Sequence, residues 1–151
     1  MEPRVFILNP IRNEYLQVPP FEYKEDFNSY HHGYGFGFSP NTKQYKIVRL
    51  PRGPTNGLFV ADIFTFGTLE KGSIGKWSSV LFMPFSIIGC HDGVYLNGGL
   101  YWNGCHLVGH RMSNFLLRFD VEHEIFEEIS FPQVGRQQNG ALLSCFEVQE
   151  D

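Results

Sequence analysis

Pairs of cysteine and histidine in this sequence could bind a metal ion. Cys90 precedes His91, and Cys105 precedes His106 with His110 nearby. Thiolate and imidazole groups are the soft ligands that zinc prefers. The spacing contains neither a Cys-x-x-Cys pair nor a second cysteine pair. We therefore interpret both sites as buried cysteines beside loop histidines, and we predict no metal ion and no cofactor.

Other chemical motifs are equally weak. A catalytic cysteine needs a lowered thiol pKa and a third group that orients its base, and the sequence indicates neither. Gly35–Gly37 and Asn97–Gly99 are not followed by Lys-Ser/Thr and do not begin a helix, as a phosphate loop would. The carboxylates at Glu122–Glu124 and Glu127-Glu128 are typical of solvated strand edges rather than of paired glycosidase acids. We predict no catalytic residue and no enzymatic activity.

Charge and hydropathy argue against a nucleic-acid-binding, membrane-spanning or secreted protein. Lys and Arg number 12 against 16 Asp and Glu, a net charge of -4, which does not favour nucleic-acid binding. The longest apolar stretch, Val80–Cys90, contains Pro84 and is about half the length of a membrane-spanning helix. Val5–Leu8 is too short for a signal sequence. Three cysteines suggest no disulfide framework, so we expect an intracellular protein, cytoplasmic or nuclear.

Short runs of alternating apolar and polar residues between turn residues predict an all-β chain. Glycine and proline together number 25 of 151 residues, which argues against a helix bundle. The predicted strands are Arg4–Leu8, Tyr15–Val18, Tyr34–Phe38, Tyr45–Leu50, Val60–Phe66, Trp77–Phe82, Gly93–Leu96, Leu100–Trp102, Phe115–Phe119, Ile125–Ile129 and Ala141–Val148.

A hairpin pattern repeats along the chain. Asn9, Ser39 and Asp120 each follow an apolar strand, and each has an aromatic residue at +6 and a β-branched residue at +9. A small polar side chain can bond the amides of its own turn, and the aromatic residue can anchor the returning strand in the core. A further hairpin is predicted at Asn97-Gly98, the strongest short turn signal. Four strands of this kind match one blade of a β-propeller.

Five segments in this order make the chain resemble the F-box-associated domain of plant F-box proteins, a kelch-like repeat module. The segments are Asn9–Pro20, Tyr34–Arg49, Phe64–Val80, Gly93–Trp102 and Arg118–Pro132. The resemblance implies antiparallel four-stranded blades and a role in capturing protein substrates for SCF-type ubiquitin ligases. It also implies that a Skp1-like adaptor is bound only if an F-box lies outside this chain.

The number and spacing of the predicted strands also divide the chain into blades. We expect the end of one blade at 4–20, whole blades at 34–82 and 93–132, and the start of another at 141–148. Two whole blades with partial ones cannot close a ring. We therefore expect an incomplete propeller with open strand edges.

An up-and-down strand order places the short turns at one end of the sheets and the long connections at the other. The long connections are expected at Pro19–Gly33, Pro51–Phe59, Met83–Asp92, Asn103–Asn114 and Pro132–Gly140. Loops of this kind on a rigid scaffold are common recognition sites, and aromatic and basic side chains suit protein contacts. The predicted partner-binding residues are Phe21, Tyr23, Tyr30, His31, Arg52, His106, His110 and Arg111.

Three functions are compatible with these features. The first is a non-catalytic module that recognises a protein substrate of unknown identity. The second is a shortened product that binds the substrate without recruiting the adaptor. The third is a carbohydrate-binding propeller, because exposed aromatic residues such as Tyr23 and Tyr30 can stack on sugars.

Overall fold

The computed structural model describes residues 4–21, 33–50, 59–67, 75–82, 86–87, 92–108 and 110–131, and in these residues every regular element is a strand. The strands are β1 (Phe6–Asn9), β2 (Glu14–Gln17), β3 (Gly33–Ser39), β4 (Gln44–Leu50), β5 (Phe59–Phe66), β6 (Lys76–Phe82), β7 (Ser86–Ile87), β8 (Val94–Leu96), β9 (Gly99–Val108), β10 (Arg111–Asp120) and β11 (Ile125–Ser130). The all-β prediction is confirmed for the described part of the chain. The predicted strand Ala141–Val148 lies outside it.

The strands form three antiparallel groups. β1 and β2 form the N-terminal hairpin, and β3–β4–β5–β6 form the central sheet. In the C-terminal sheet the order is β11–β10–β9, and the far edge of β9 pairs with both β8 and β7. Four strand positions are therefore filled in both larger sheets, which confirms the antiparallel four-stranded blades implied by the resemblance.

Two predicted connections are wrong in part. Asn103–Asn114 was expected to be a long loop, but β9 continues to Val108 and β10 begins at Arg111. Asn103–His106 do not alternate between apolar and polar residues, so the sequence pattern does not predict that the strand continues here. Gly104 instead pairs with Phe115 and lies under its ring, where an added Cβ would be 2.3 Å from Cζ. The predicted loop Met83–Asp92 likewise contains the short strand β7.

The central sheet has an apolar core on each of its faces. Val48, Leu50 and Ile63 pack with Leu100, Trp102 and Phe119 of the C-terminal sheet. On the opposite face, Ile47 and Phe64 pack with Ile7 and Leu16 of the N-terminal hairpin. Because successive residues of a strand point to opposite faces, neighbouring positions of β4 and β5 belong to different cores. The central sheet is therefore the middle of three packed layers.

The predicted hairpin repeat is confirmed by its turn geometry. Asn9 Oδ1 accepts hydrogen bonds from the amides of Ile11 and Arg12, and Ser39 Oγ accepts one from Thr42. Asp120 Oδ1 accepts bonds of 3.0 and 2.8 Å from the amides of Glu122 and His123. The fourth turn residue has a positive φ each time, 51° at Asn13, 54° at Lys43 and 56° at Glu124. The side-chain bonds hold each turn in this uncommon backbone conformation.

The Asn97-Gly98 turn also forms as predicted, with φ angles of 45° and 79°. These angles are those of a type I′ turn, which matches the twist of the flanking strands. The four turns connect the strands at one side of the molecule, which we call the short-turn end. The opposite side, where β2, β4, β6, β9 and β11 end, is the long-loop end.

Bonds between sheets hold the short-turn end together. Lys46 Nζ lies 2.9 Å from Glu124 Oε1, although the Lys46 side chain is only 5% exposed. Asn41 Nδ2 donates to the Glu122 carboxylate at 2.9 Å, and the Tyr95 hydroxyl donates to the Phe38 carbonyl at 2.6 Å. Each contact joins the central sheet to the C-terminal sheet. The short-turn end is therefore a structural contact region.

We expect Gly35→Val to destabilise the fold. A Cβ at Gly35 would lie 2.5 Å from Trp102 Cζ2 in the core between the two larger sheets. Overpacking of this kind costs about 1–3 kcal/mol. Urea unfolding followed by tryptophan fluorescence measures the loss. The control is Gly67→Ala, because nothing lies within 4 Å of a Cβ built there. Equal effects of the two substitutions would contradict the close packing at Gly35.

The Asp120 turn should make stability depend on pH. Burial raises the pKa of the Asp120 carboxyl, but bonds from the His123 amide, the His123 ring and Arg118 outweigh it and leave the pKa below its ordinary value of 3.8. A lowered pKa in the folded state stabilises the protein above the unfolded-state pKa, and this gain is lost as the pH falls through the folded-state pKa.

Asp120→Asn keeps an oxygen that can accept the turn amides but cannot carry the charge. At pH 7 we expect this variant to be less stable than the parent by about 1 kcal/mol. The difference should shrink as the pH falls below about 4. Urea unfolding at pH 7 and at pH 3 measures both values, and a difference that is unchanged at pH 3 would contradict the role of the charge.

Candidate functional site

Two described regions of the long-loop end contain residues that the sequence predicted to bind a partner. The first is the segment after β2, which contains Phe21, and the second is the hairpin tip between β9 and β10, which contains His110 and Arg111. His106 lies on β9 opposite Ser113 rather than in a loop. Tyr23, Tyr30, His31 and Arg52 lie outside the described residues.

The central strands supply a buried ion pair beneath Phe21. Arg49 on β4 and Asp62 on β5 are direct cross-strand partners, with Arg49 Nη2 2.9 Å from Asp62 Oδ2. Ser79 Oγ on β6 donates to the other carboxylate oxygen at 3.2 Å. Both charged side chains are about one-tenth exposed. A buried charge needs such partners because its removal from water is costly.

Aromatic rings enclose the same guanidinium group. Arg49 Cζ lies 5.6 Å from the centre of the Phe21 ring and 5.3 Å from that of the Trp77 ring. The two rings contact each other edge to face, with centres 5.4 Å apart. A cation over an aromatic face is attracted by the negative charge of the ring. We call Phe21, Arg49, Asp62, Trp77 and Ser79 the Arg49 cluster.

The Arg49 cluster positions the chain that follows β2. Trp77 Nε1 donates to the Pro19 carbonyl at 2.8 Å, two residues before Phe21. Phe21 therefore packs onto the central sheet, and Pro19 is bonded to β6. The sequence identified Phe21 as a contact residue, but its packing on Arg49 depends on tertiary structure that no local pattern reveals.

The β9–β10 hairpin projects beyond β11. Within the described residues, β10 pairs with β9 along all ten residues, and with β11 from Phe115 to Asp120. Arg111–Asn114 therefore extend past the paired part of β11, and His110 and Arg111 are exposed at the tip. An exposed guanidinium and imidazole can donate hydrogen bonds to carboxylates or backbone carbonyls of a partner.

The described residues contain no group of three or more His, Cys, Asp or Glu side chains that could hold a metal ion. Cys90 and His91 lie outside the described residues, as do the side chains of Cys105 and His106. Of the suggested zinc ligands, the structure describes the side chain of His110 alone, which is exposed at the tip. Among the described residues, no helix is long and apolar enough to cross a membrane.

Comparison with known proteins places the whole chain in one family. The model of the F-box associated beta propeller domain matches residues 1–151. No solved structure matched the chain.

Three similar curated proteins come from Arabidopsis thaliana. The putative F-box protein At1g32420 is 30% identical over 137 residues, which are 86% of this chain and 39% of that protein. The F-box protein At1g47340 is 31% identical over 128 residues, 82% of this chain and 24% of that protein. The F-box protein At3g07870 is 26% identical over 154 aligned residues, 87% of this chain and 34% of that protein. The chain thus spans between a quarter and two-fifths of the length of these relatives.

We expect Asp62→Asn to destabilise the protein by about 3 kcal/mol, because it leaves the buried Arg49 charge without its carboxylate. The double variant Arg49→Met/Asp62→Leu removes both charges and should recover most of that loss. Urea unfolding of the three proteins measures the difference. A double variant that is no more stable than Asp62→Asn would contradict the coupling between the two charges.

Proposed function

The chain belongs to the F-box associated beta propeller domain family, and from this premise we propose that it recognises a protein substrate for an SCF-type ubiquitin ligase. Its similar proteins are F-box proteins that extend well beyond the matched part. In such a protein, an F-box outside these residues would bind the adaptor, and this domain would bind the substrate. The role is non-enzymatic and intracellular.

The projecting β9–β10 tip is the observation that carries this proposal. The short-turn end is already engaged in contacts between the sheets, through Lys46–Glu124 and Asn41–Glu122. At the long-loop end, His110 and Arg111 lie exposed on a hairpin that two antiparallel strands hold in place. Exposed basic groups on a rigid ribbon can orient a partner through charge and directed hydrogen bonds.

The segment after β2 also favours the long-loop end as the binding site. The Arg49 cluster anchors Phe21, so the chain that follows Phe21 starts from a fixed position. Anchoring reduces the entropy that a binding loop loses when a partner binds. The predicted residues Tyr23, Tyr30, His31 and Arg52 lie in the sequence next to described strands that end on this side, and we retain them as candidate contacts.

The test compares proteins captured from plant extract by three tagged chains: the parent, His110→Ser/Arg111→Ser and Arg12→Ser. Arg12 is the matched control, because it is an exposed cation at the short-turn end, 3.9 Å from the Glu14 carboxylate. We expect quantitative mass spectrometry to show partner proteins retained by Arg12→Ser and reduced about fivefold or more by the tip variant.

Equal recovery of every captured protein by the parent and the tip variant would contradict the proposal that the tip binds the partner. The same would hold if Arg12→Ser lost as much binding as the tip variant, because the effect would then follow net charge rather than position. Thermal melting of all three chains confirms that they are folded, since both substituted sites are exposed.

A further inference from the structure

Ser113 lies on the same face of the β9–β10 tip as Arg111. Successive residues of a strand point to opposite faces, so both residues share the face of Phe115, which is buried farther along β10. The side chains of Ser113 and Arg111 are both exposed. The Cα atoms of residues two apart in a strand are about 7 Å apart, a distance that an arginine side chain can span. A group attached to the Ser113 hydroxyl would therefore be within reach of the Arg111 guanidinium.

The backbone around Ser113 is extended and accessible along one edge. On one side, Ser113 pairs with His106 of β9. On the other side, the β10–β11 ladder ends where Ser130 pairs with Phe115, so no strand of the described part of the chain pairs with Arg111–Asn114 there. An enzyme could therefore approach Ser113 from this edge without displacing any described strand.

The Ser113 hydroxyl is available for reaction, whereas other serine hydroxyls are engaged. Ser39 is 1% exposed, and its Oγ accepts a hydrogen bond from the Thr42 amide. On β6, the hydroxyls of Ser78 and Ser79 donate to groups of β5. Among the residues that the structure describes, the Ser113 hydroxyl has no hydrogen-bond partner. A kinase must place the acceptor oxygen in line with the γ-phosphate of ATP, and an exposed, unbonded hydroxyl meets that need.

The residues before Ser113 are basic. His110 and Arg111 lie three and two positions earlier, and both are exposed. A basophilic protein kinase, one that recognises cations shortly before its acceptor serine, can bind these groups through its own carboxylates. Ser130 offers the opposite charge. It is also exposed, but it closely follows Glu127–Glu128. The two serines therefore differ in the charge that a kinase would meet.

We propose that Ser113 is a phosphorylation site for a basophilic protein kinase, and that its phosphate prevents partner binding at the tip. In this step Ser113 Oγ forms a bond to the γ-phosphorus of ATP, and the bond from that phosphorus to the departing oxygen of ADP breaks. The hydroxyl proton passes to a base of the kinase. The effect on binding rests on the proposed function of the tip, whereas the modification site does not.

The phosphate would act on the tip through its charge. A phosphoserine carries a charge of about −1.5 to −2 at neutral pH, which exceeds the single positive charge of Arg111. Charge-assisted hydrogen bonds to the phosphate would occupy the guanidinium donors. An acidic partner group that binds Arg111 in the unmodified chain would then lose its donors and be repelled by the phosphate.

The first experiment incubates the full chain with plant extract, phosphatase inhibitors and radiolabelled ATP. We expect Ser113→Ala to lose most of the label, and mass spectrometry of the parent to place the phosphate on Ser113. Arg111→Ser keeps the acceptor but should be labelled about tenfold less, because the kinase loses a cation that it recognises. Ser130→Ala is the matched control and should stay within about twofold of the parent.

Three results would overturn the modification site. They are absence of label on the parent, equal labelling of the parent and Ser113→Ala, and undiminished labelling of Arg111→Ser. All of the substituted side chains are exposed, and thermal melting confirms that each variant is folded.

The second experiment uses chains that carry phosphoserine at position 113 or at position 130, incorporated during synthesis. Phosphorus NMR should show a lower second pKa for the phosphate at 113, because Arg111 favours its dianion, and Arg111→Ser should remove that shift. In capture from plant extract, the phosphate at 113 should reduce recovery of tip-dependent partners about fivefold, as the tip variant does. The phosphate at 130 should leave recovery at the parent level.

The outcomes separate this inference from the proposed function. Undiminished capture by the chain with phosphate at 113, or an equal loss with phosphate at 130, would overturn the effect on binding. An unchanged phosphate pKa in Arg111→Ser would overturn the contact with the guanidinium. If no partner of the parent depends on the tip, the proposed function fails, and labelling of Ser113 still decides the modification site.

Discussion

The contact between the two larger sheets depends on the space that two glycines leave for Trp102. A Cβ on Gly35 would lie 2.5 Å from Trp102 Cζ2, and one on Gly93 would lie 2.4 Å from Cε2. The indole therefore fills the volume that two side chains would otherwise take. Next to it, the Gly93 amide donates to the Tyr34 carbonyl, so the backbones of β3 and the start of β8 are directly bonded. The Trp102 ring thus packs directly against the backbone of β3, which forms part of the core.

Charges on β4 orient the two layers that cover it. Lys46 points to the C-terminal sheet and pairs with Glu124, while Arg49 points to the opposite face and lies beneath Phe21. Both cations are largely buried, so each must find its partner or lose the free energy of hydration. A shifted packing of either layer would separate such a pair. We interpret the two ion pairs as contacts that select one arrangement of layers rather than as a large source of stability.

Local signals were sufficient to predict most of the strands and the turn chemistry. Asn9, Ser39 and Asp120 have a role set by neighbours within three residues, which a sequence pattern can show. β7 was not predicted, because its two residues are held in place by Cys105 and Gly104 of β9 rather than by their own preference.

The candidate site was only partly predictable for the same reason. The exposed tip residues His110 and Arg111 were identified from composition and topology. The packing of Phe21 on Arg49 joins residues 28 positions apart, and the two interacting groups belong to different layers. Composition and periodicity cannot specify such a pair, because they give no information on which faces meet.

The length of β9 has a mechanical consequence for the C-terminal sheet. Its ten residues pair with β10 along their whole length on one edge, while β8 and β7 share the other edge at separate positions. Within the described residues, β9 therefore joins β7, β8 and β10 into one sheet. A pulling force applied at β7 or β8 would therefore be transferred to the ten-residue β9–β10 ladder.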